Sequence, residues 1–439
     1  MRALVVSIWV FINLVFFGMC GYMYLLWSQY WMFMERQTGT TTSTYDQQIY
    51  YYNRGYLPSD TNKTHHNTSE SKLRIKHSLK ENVTVTLIKN SRPRFPNLQS
   101  KDFELDTKKY SCFKNDTKSE CAKKSSEFKS KLLKELRRVL EDEGNVLKSG
   151  TENPYNVQYE GARGNFHDKT PKQIMCELRK IKIKTLKRGD VRGGPSNIGD
   201  FLPKRGLFEN RKFNSCAIVA SAGSLKDSNL GKTIDAHDLV LRFNHAPTKG
   251  FEEDVGAKTT VRVLNSQVIT REEFKFLQSD IYKNLTVVAW DPSVYKATLE
   301  EWLEKPEFNL FPAYVEYKRK NDKARIFLIN PQSLWELWDF LQGNSPGRLR
   351  RNPLSSGFLG LGLLLPLCNF VDIFEYVPSA RVTKRCHYYD PEDNPACTFG
   401  VWHPLAAEKL LTYHINTADD HIVFQNGYVR IPGFKNFKC

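Results

Sequence analysis

The sequence lacks the patterns that mark several common classes of protein. It has no internal repeat, no zinc finger and no RNA-binding motif, and its aromatic and basic residues do not alternate. These absences argue against a repeat architecture and against a nucleic-acid partner, even though the net charge is +16. Residues 213–439 hold 26 Lys/Arg and 26 Asp/Glu, so the whole excess lies earlier in the chain. Residues 169–212 hold 13 basic and four acidic residues, which predicts a solvated face or a surface that attracts acidic glycoconjugates or membrane.

Charge is also absent from residues 3–27, a run of 25 residues that is long enough to cross the core of a bilayer. Arg2 precedes the run, and Glu35 and Arg36 follow it. A cleaved signal peptide would have a shorter apolar core and a clear cleavage site of small residues. We therefore expect an uncleaved signal-anchor of a type II membrane protein, with residues 1–2 as the cytoplasmic tail and nearly all of the chain in a lumen.

The segment that follows the anchor, residues 28–165, is predicted to be a luminal stem that is largely flexible. Up to about residue 125 it is polar and has no sustained apolar period. Eight of the nine cysteines follow the anchor, an even number that suits disulfides in an oxidising compartment but allows many pairings. Five Asn-x-Ser/Thr sequons also indicate the luminal side, and they stand at Asn62, Asn67, Asn82, Asn115 and Asn284.

A mixed α/β domain is predicted over residues 166–439. Before it, within the segment assigned to the stem, Lys131–Leu140 is expected to form an amphipathic helix with leucines on one side and Gly144 as its stop, and near the start of the domain a second helix is expected to open at Thr170-Pro171. From Cys216 onward, strands and helices alternate, which favours a Rossmann-like nucleotide-binding sheet flanked by helices in a single catalytic domain. The apolar segment Phe358–Cys368 is too short to span a bilayer and is expected to be a buried core helix.

Four short apolar runs each end on a side-chain amide or carboxylate, at Asn244, Asn265, Asp291 and Asn330. Strands buried on both faces belong to α/β sheets whose ligands bind beyond the carboxyl ends of the strands. Any one of these side chains can simply open a turn. Four together, with the motifs below, predict a row of polar groups suited to a sugar nucleotide.

Three further segments carry the features of a reactive site. Ser221–Ser224 after a strand and Asn352–Gly357 before a helix are loops of small residues, whose backbone amides can approach a phosphate closely. Pro404 predicts a helix start that leaves His403 at or near the cap. The positive end of the helix dipole would keep His403 neutral and able to act as a general base, whereas the alternative is a purely structural histidine. Glu408, in the second turn, either orients the site or stabilises the fold.

These segments resemble the eukaryotic sialyltransferases, which move sialic acid from CMP-sialic acid to a sugar hydroxyl. Residues 216–266 are similar to the large motif of that family, and residues 352–378 to its small motif. Cys386–Asp390 is similar to the third motif, and His403–Glu408 to the very small motif of His, four residues and Glu. The resemblance covers roughly Cys176–Cys439. The stretches LNSQ, WDPSVY and NPLSSG are most similar to the β-galactoside α2,6 branch.

The resemblance implies a GT-A-like variant of the fold and an inverting transfer to an acceptor 6-hydroxyl, with His403 as the base. It implies donor contacts from Ser221, Asn244, Asn265, Ser355, Ser356, Gly357, His387 and Thr398. Acceptor contacts are expected from Gln267, Glu307, Phe308, Trp402 and Lys409, with Glu408 in support. No acidic pair or triad is arranged as a nucleotide–metal clamp, and Asp419–Asp420 is expected to be a surface turn, so we expect neither a metal nor a cofactor.

The family's cysteine pattern implies three disulfides, Cys216–Cys368, Cys386–Cys397 and Cys176–Cys439, and leaves Cys112 and Cys121 to pair in the stem. With the anchor and stem, the resemblance implies a Golgi membrane protein whose luminal domain acts on glycoprotein glycans. Cleavage of the stem would release a secreted form. The sequence indicates no oligomeric state.

The chain departs from the α2,6 enzymes at several positions. Glu307-Phe308 after Lys305-Pro306 replaces Asp-Tyr after Asn-Pro, Trp402 replaces a Tyr, and Asp390 replaces a Gln. The choice between terminal β-linked galactose and N-acetylgalactosamine therefore stays open. Two alternatives also remain: an α2,3- or α2,8-sialyltransferase, and a non-catalytic type II protein that binds glycans.

Overall fold

Seven strands form the central sheet of the molecule. The computed structural model describes residues 109–146, 153–158, 164–209, 211–321, 323–391, 393, 396–400 and 402–439. The strands are β1 Phe213–Val219, β2 Leu239–Phe243, β3 Val261–Asn265, β4 Thr286–Trp290, β5 Arg325–Leu328, β6 Cys368–Phe374 and β7 Tyr428–Pro432. Their spatial order is β5-β4-β3-β2-β1-β6-β7. Five of the six pairings are parallel, and β7 runs antiparallel to β6.

Twelve α-helices accompany the sheet in the described residues. They are α1 Lys118–Val146, α2 Pro171–Leu178, α3 Ile198–Phe201, α4 Gly231–Asp235, α5 Glu252–Val255, α6 Ser266–Thr270, α7 Leu299–Glu304, α8 Phe311–Lys320, α9 Gln332–Asn344, α10 Ser356–Leu364, α11 Ala396–Phe399 and α12 Leu405–His414. Short 3-10 turns lie at Phe166–Asp168, Pro195–Asn197, Gly223–Leu225, Glu272–Phe274, Asp280–Tyr282 and Phe434–Asn436, and a π-helical turn at Ile422–Asn426.

The parallel sheet is buried on both faces, which explains the continuous apolar runs in the sequence. Every residue of β2 and of β4 is buried. The predicted α/β class is therefore confirmed. The chain adds strands in one direction from β1 to β5 and then places β6 on the other side of β1. Such a reversal of strand order opens a crevice at the carboxyl ends of the strands, where ligands of open α/β sheets bind.

Residues 109–146 differ from the expected flexible stem. Helix α1 begins 13 residues before the predicted start at Lys131 and continues past Gly144. Phe128, Leu132 and Leu136 are buried in the same core cluster as the strands. Sequence reasoning placed the start too late because lysines and serines dilute the apolar spacing in the first half of the helix. The rest of the predicted stem that precedes residue 109 lies outside the described residues.

Two other helix predictions are largely confirmed. Helix α2 begins at Pro171, and Thr170 forms the capping box with Gln173. The predicted core helix at Phe358–Cys368 is buried, but α10 ends at Leu364 and Cys368 opens β6. Proline has no backbone N–H and cannot continue a helix, so Pro366 accounts for the early end.

All four expected disulfides are present in the structure. Cys216–Cys368 joins the neighbouring strands β1 and β6, with a Cα–Cα distance of 6.0 Å. The other three are Cys112–Cys121, Cys176–Cys439 and Cys386–Cys397.

Two of the five sequons lie within the described residues. Asn115 and Asn284 are exposed, as glycosylation requires, while the sequons at Asn62, Asn67 and Asn82 fall outside the described residues. Over the part of the chain that the structure describes, no helix combines the length and apolar character needed to cross a membrane. The predicted anchor at residues 3–27 is outside that part.

Candidate functional site

The candidate site lies where the parallel strands end. Asn244 and Asp291 directly follow β2 and β4, and Asn265 is the last residue of β3. Because β2, β3 and β4 are neighbours and parallel, these three side chains share one edge of the sheet. Asn330, which follows β5, accepts a hydrogen bond from the Gln332 amide at 3.0 Å. It therefore has the turn-opening role that was the alternative for all four.

Asn244 and Asn265 are held together by direct contacts. The side-chain oxygen of Asn244 accepts a hydrogen bond from the Asn265 amide at 3.1 Å. Asn244 has φ of 46°, and the buried Arg262 donates to the carbonyl oxygens of Asn244 and Ala246 at 2.9 and 3.0 Å. The Asn265 side chain caps α6 by accepting from the Val268 amide. The two asparagines thus form one rigid unit at the ends of β2 and β3.

The loop that ends in Ser355, Ser356 and Gly357 leads into α10 beside this unit. The Ser356 hydroxyl accepts a hydrogen bond from the Trp290 indole at 3.0 Å, which ties the loop to the end of β4. A side chain at Gly357 would place its Cβ 2.5 Å from the Tyr376 ring. Only glycine allows this close approach, so the residue has a packing role as well as the predicted donor contact.

Glu408 holds the same loop in place through hydrogen bonds. Its carboxylate is fully buried and accepts hydrogen bonds from the Ser355 amide at 2.8 Å, the Ser355 hydroxyl and the Tyr376 hydroxyl. Of the two roles open for Glu408, the structure favours orienting the site, since Ser355 is a predicted donor contact. Burial raises the pKa of Tyr376 well above its usual range, so its hydroxyl stays a donor.

Lys409, the next residue, is directed into the core. It is buried, and its ammonium donates to the Tyr376 carbonyl oxygen at 2.5 Å. Burial lowers the pKa of Lys409 to about 8. This placement differs from the expected acceptor contact, because on α12 the residue after Glu408 points toward the same buried layer as Glu408 itself.

His403 is held in one orientation by the loop that precedes α10. Its Nδ1 lies 2.7 Å from the Pro353 carbonyl oxygen. A carbonyl can only accept a hydrogen bond, so Nδ1 carries the proton and Nε2 is the basic nitrogen. Burial lowers the pKa of His403, although Glu408 acts in the opposite direction. Helix α12 begins at Leu405 with Pro404 as its cap, one residue later than predicted.

Trp402 packs against the catalytic candidate. Its ring meets the His403 ring edge-on at 4.4 Å, and the Tyr155 ring at 6.4 Å. The Trp402 carbonyl oxygen accepts from the Asn352 side chain at 2.9 Å. Trp402 therefore lies directly beside His403.

The third motif reaches the site through Ser221 and His387. A bridge joins Ala222 to His387, and the Tyr388 amide donates to the Ser221 carbonyl oxygen at 3.2 Å. The Cys386–Cys397 disulfide holds this segment beside α11, which carries Thr398. These predicted donor residues are therefore near one another at the end of β1.

The expected acceptor residues Gln267, Glu307 and Phe308 lie on the opposite flank. Gln267 is partly buried on α6, directly after Asn265 and Ser266. Glu307 has an exposed side chain, and the Phe308 ring lies 5.9 Å from the Arg271 guanidinium. Their backbone amides both donate to Asp291. The structure thus places Glu307 and Phe308 at the end of β4, one strand away from Asn265, whereas Gln267 lies two residues after Asn265.

Sequence reasoning missed three residues that shape the site: Arg262, Pro353 and Tyr376. Arg262 had a visible signal, since a charged residue interrupts the apolar run TTVRVLN. Pro353 contributes its carbonyl oxygen, and Tyr376 contacts Ser355 and Glu408. No spacing in the sequence predicts these contacts.

Comparisons with known proteins show what this chain is similar to. The family model described as glycosyltransferase family 29 (sialyltransferase) matches residues 195–419, about half of the chain. Beta-galactoside alpha-2,6-sialyltransferase 2 of Bos taurus is 40% identical over 290 residues, which cover 65% of this chain and 58% of that protein. The protein of the same name from Homo sapiens is 38% identical over 292 residues, covering 66% of this chain and 55% of that one.

The chain therefore matches less than two thirds of the length of these curated relatives. Among solved structures, the crystal structure of a mammalian sialyltransferase is 22% identical, covers 58% of this chain and 77% of that chain, and has a TM-score of 0.33.

Proposed function

Because this chain belongs to glycosyltransferase family 29, the sialyltransferases, we propose that it transfers sialic acid from CMP-sialic acid to the 6-hydroxyl of a terminal β-linked galactose or N-acetylgalactosamine on glycoprotein glycans. The observation that carries the proposal is the His403–Pro353 contact of 2.7 Å, which leaves Nε2 as a base beside the loop of Ser355 and Ser356. The α2,6 linkage is supported by the names of the curated relatives.

In the proposed reaction, the acceptor oxygen attacks the anomeric carbon of sialic acid while the bond from that carbon to the phosphate of CMP breaks. Nε2 of His403 receives the proton of the hydroxyl. CMP leaves from the opposite face, so the configuration inverts. The low pKa of His403 suits this role, since the ring must be neutral to accept the proton.

The departing phosphate carries the charge that develops in the transition state. The N-terminus of α10, opened by Ser355 and Ser356, offers backbone amides and the positive end of a helix dipole. Asn244, Asn265 and Ser221 supply further polar groups at the adjacent strand ends. We propose that these groups hold CMP, and that the transfer needs no metal and no cofactor.

The proposal extends to topology. We propose a single-pass type II protein of the Golgi membrane, anchored by residues 3–27, with the catalytic domain in the lumen and release of a soluble form if the chain is cleaved before the domain. The exposed sequons at Asn115 and Asn284 and the four disulfides support a luminal location.

The test is a transfer assay on the full chain. Membranes that contain the protein are incubated with CMP-sialic acid and a panel of β-galactosides and β-N-acetylgalactosaminides. The comparison variants are His403→Ala and His167→Ala, the second because His167 is exposed and outside the site. We expect His403→Ala to lower kcat by about 10²- to 10⁴-fold with little change in CMP binding, and His167→Ala to retain activity. Glycan binding without any transfer by the wild type would instead support the non-catalytic alternative.

A further inference from the structure

Asp291 is a buried carboxylate on which several hydrogen-bond donors converge. It directly follows β4 and is 1% exposed. Its oxygens accept from the Trp302 indole at 2.9 Å, the Glu307 amide at 2.9 Å and the Phe308 amide at 3.1 Å. The Ser266 hydroxyl is a fourth hydrogen-bond partner. One side chain therefore joins three segments that are separate in sequence.

The two backbone amides matter most, because they belong to residues with no regular structure of their own. Glu307 and Phe308 lie between the end of α7 at Glu304 and the start of α8 at Phe311. Both amides donate to the Asp291 carboxylate, which therefore anchors this segment. Ser266, on the other side of the carboxylate, immediately precedes Gln267.

Asp291 also stands next to a residue that contacts the donor loop. Trp290 donates to Ser356 through its indole, whereas Asp291 binds the 307–308 segment. Burial, and to a lesser degree the charge of Asp291, raise the pKa of Tyr155, whose ring lies edge-on to that of Trp402 beside His403. Consecutive residues at the end of β4 therefore connect the two sides of the site.

Burying the Asp291 carboxylate costs free energy. Burial raises the pKa of Asp291 to about 6, even though its four hydrogen bonds act in the opposite direction. A buried charge whose desolvation outweighs its contacts is a weak source of stability. A role in fixing geometry accounts better for its presence than a role in holding the fold.

We propose that Asp291 is a positioning residue for the acceptor, which fixes the Glu307–Phe308 segment and the start of α6 in the arrangement that the acceptor sugar binds. The inference rests on the proposed function, since it assumes that this flank receives the acceptor. Asp291 itself does not contact the reacting atoms.

The experiment compares Asp291→Asn with Asp372→Asn in the full chain. Asp372 is an equally buried carboxylate on β6, which lies four strands away from β4 in the sheet. It binds His237 and Arg430. For each variant, KM is measured for CMP-sialic acid and for a β-galactoside acceptor, together with kcat and thermal stability. Hydrogen exchange is followed at the amides of Glu307 and Phe308.

We expect Asp291→Asn to raise the acceptor KM by about tenfold, because an amide group cannot accept all the bonds that the carboxylate accepts. The KM for CMP-sialic acid should change less than twofold, and exchange at the two amides should accelerate. Asp372→Asn should lower thermal stability without changing the acceptor KM or the exchange at those amides.

The outcomes separate the inference from the function on which it rests. A wild-type chain that transfers no sialic acid overturns the proposed function and with it the acceptor role. An active wild type whose acceptor KM is unchanged by Asp291→Asn, or changed equally by Asp372→Asn, overturns the inference alone. If Asp291→Asn does not fold, Ser266→Ala removes one donor to the carboxylate and should raise the acceptor KM about threefold. An unchanged acceptor KM in that variant also overturns the inference.

Discussion

At the scale of single residues, the site depends on which nitrogen of His403 carries its proton. The Pro353 carbonyl fixes the proton on Nδ1, and burial lowers the pKa of the ring. The Pro353 contact leaves Nε2 without a proton in the neutral ring, and the lowered pKa keeps the ring neutral at pH values below the ordinary histidine range, although Glu408 and the Pro353 hydrogen bond act in the opposite direction. The neighbouring Trp402 ring packs edge-on against the imidazole and restricts its orientation.

The first prediction concerns the pH dependence of turnover. The neutral form of His403 is active, so kcat falls as pH falls through its pKa and the ring becomes protonated. Because burial lowers that pKa, the acid limb of the kcat profile should lie below pH 6.5, the ordinary value for histidine. A profile of kcat from pH 4.5 to 8 under saturating substrates measures this. A half-maximal point above pH 6.5 would show that another group governs turnover.

The second prediction concerns Lys409, whose ammonium lies in the core. Lys409→Met removes the hydrogen bond to the Tyr376 carbonyl oxygen and should leave the groups that bind the acceptor sugar unchanged. We expect a change in melting temperature with an acceptor KM within about twofold of the wild type. A large rise in acceptor KM at unchanged stability would restore Lys409 to the acceptor contacts expected from the sequence.

The residues of the site differ in how well sequence alone reveals them. The positions of Asn244 and Asn265 were predictable because each closes an apolar run, and that of His403 because Pro404 signals a nearby helix start. The burial of Lys409 was not predictable, because its position beside Glu408 in the sequence does not say which way the side chain points. The donors that converge on Asp291 come from positions up to 25 residues before it and 17 after it, and no local pattern links them.

At the scale of elements, helix α1 is the main addition to the predicted fold. Phe128 on this helix meets the Phe424 ring at 5.8 Å and the Tyr110 ring at 5.7 Å. Gln425 binds the backbone of Tyr110 and Cys112 on either side of the same contact. Helix α1 also packs on α12, the helix that follows His403. Part of the segment expected to be a largely flexible stem therefore packs against the helix that follows His403.

The third prediction tests this packing. Phe128→Ala should lower the free energy of unfolding by about 3 to 5 kcal/mol, because the side chain is 2% exposed and its removal leaves a cavity. Phe113→Ala is the matched control, since Phe113 is 58% exposed and should cost less than about 1 kcal/mol. Chemical denaturation of both variants gives the comparison. Equal stabilities would mean that α1 does not contribute to the folded domain.

At the scale of the whole molecule, the architecture explains why the candidate site lies at the carboxyl ends of the strands. The sheet reverses its strand order at β1. The Cys216–Cys368 disulfide links β1 to β6 at that point. The sheet class was predictable from the apolar runs, since strands buried on both faces show continuous apolar sequence. The packing of α1 on the domain was not predictable, because the lysines along this helix interrupt the apolar pattern that would show which face is buried.

The fourth prediction concerns metal dependence. We expect EDTA to leave transfer activity within about twofold of the untreated protein, because amides, hydroxyls and asparagine side chains are available for the leaving phosphate. In the part of the chain that the structure describes, the one group of three candidate metal ligands is Cys112, Cys121 and His421, and its two sulfurs form a disulfide. Loss of activity with EDTA, restored by manganese or magnesium, would contradict this expectation.

The central claim is that this chain forms an α2,6 linkage from CMP-sialic acid, and the position of the new bond tests it most directly. The full chain is incubated with isotope-labelled CMP-sialic acid and a terminal β-galactoside, and the purified product is examined by NMR. The account predicts that sialic acid is attached through C2 to the 6-oxygen of the acceptor, in the inverted configuration. Attachment to the 3-oxygen or to another sialic acid, or the absence of any product, would contradict it.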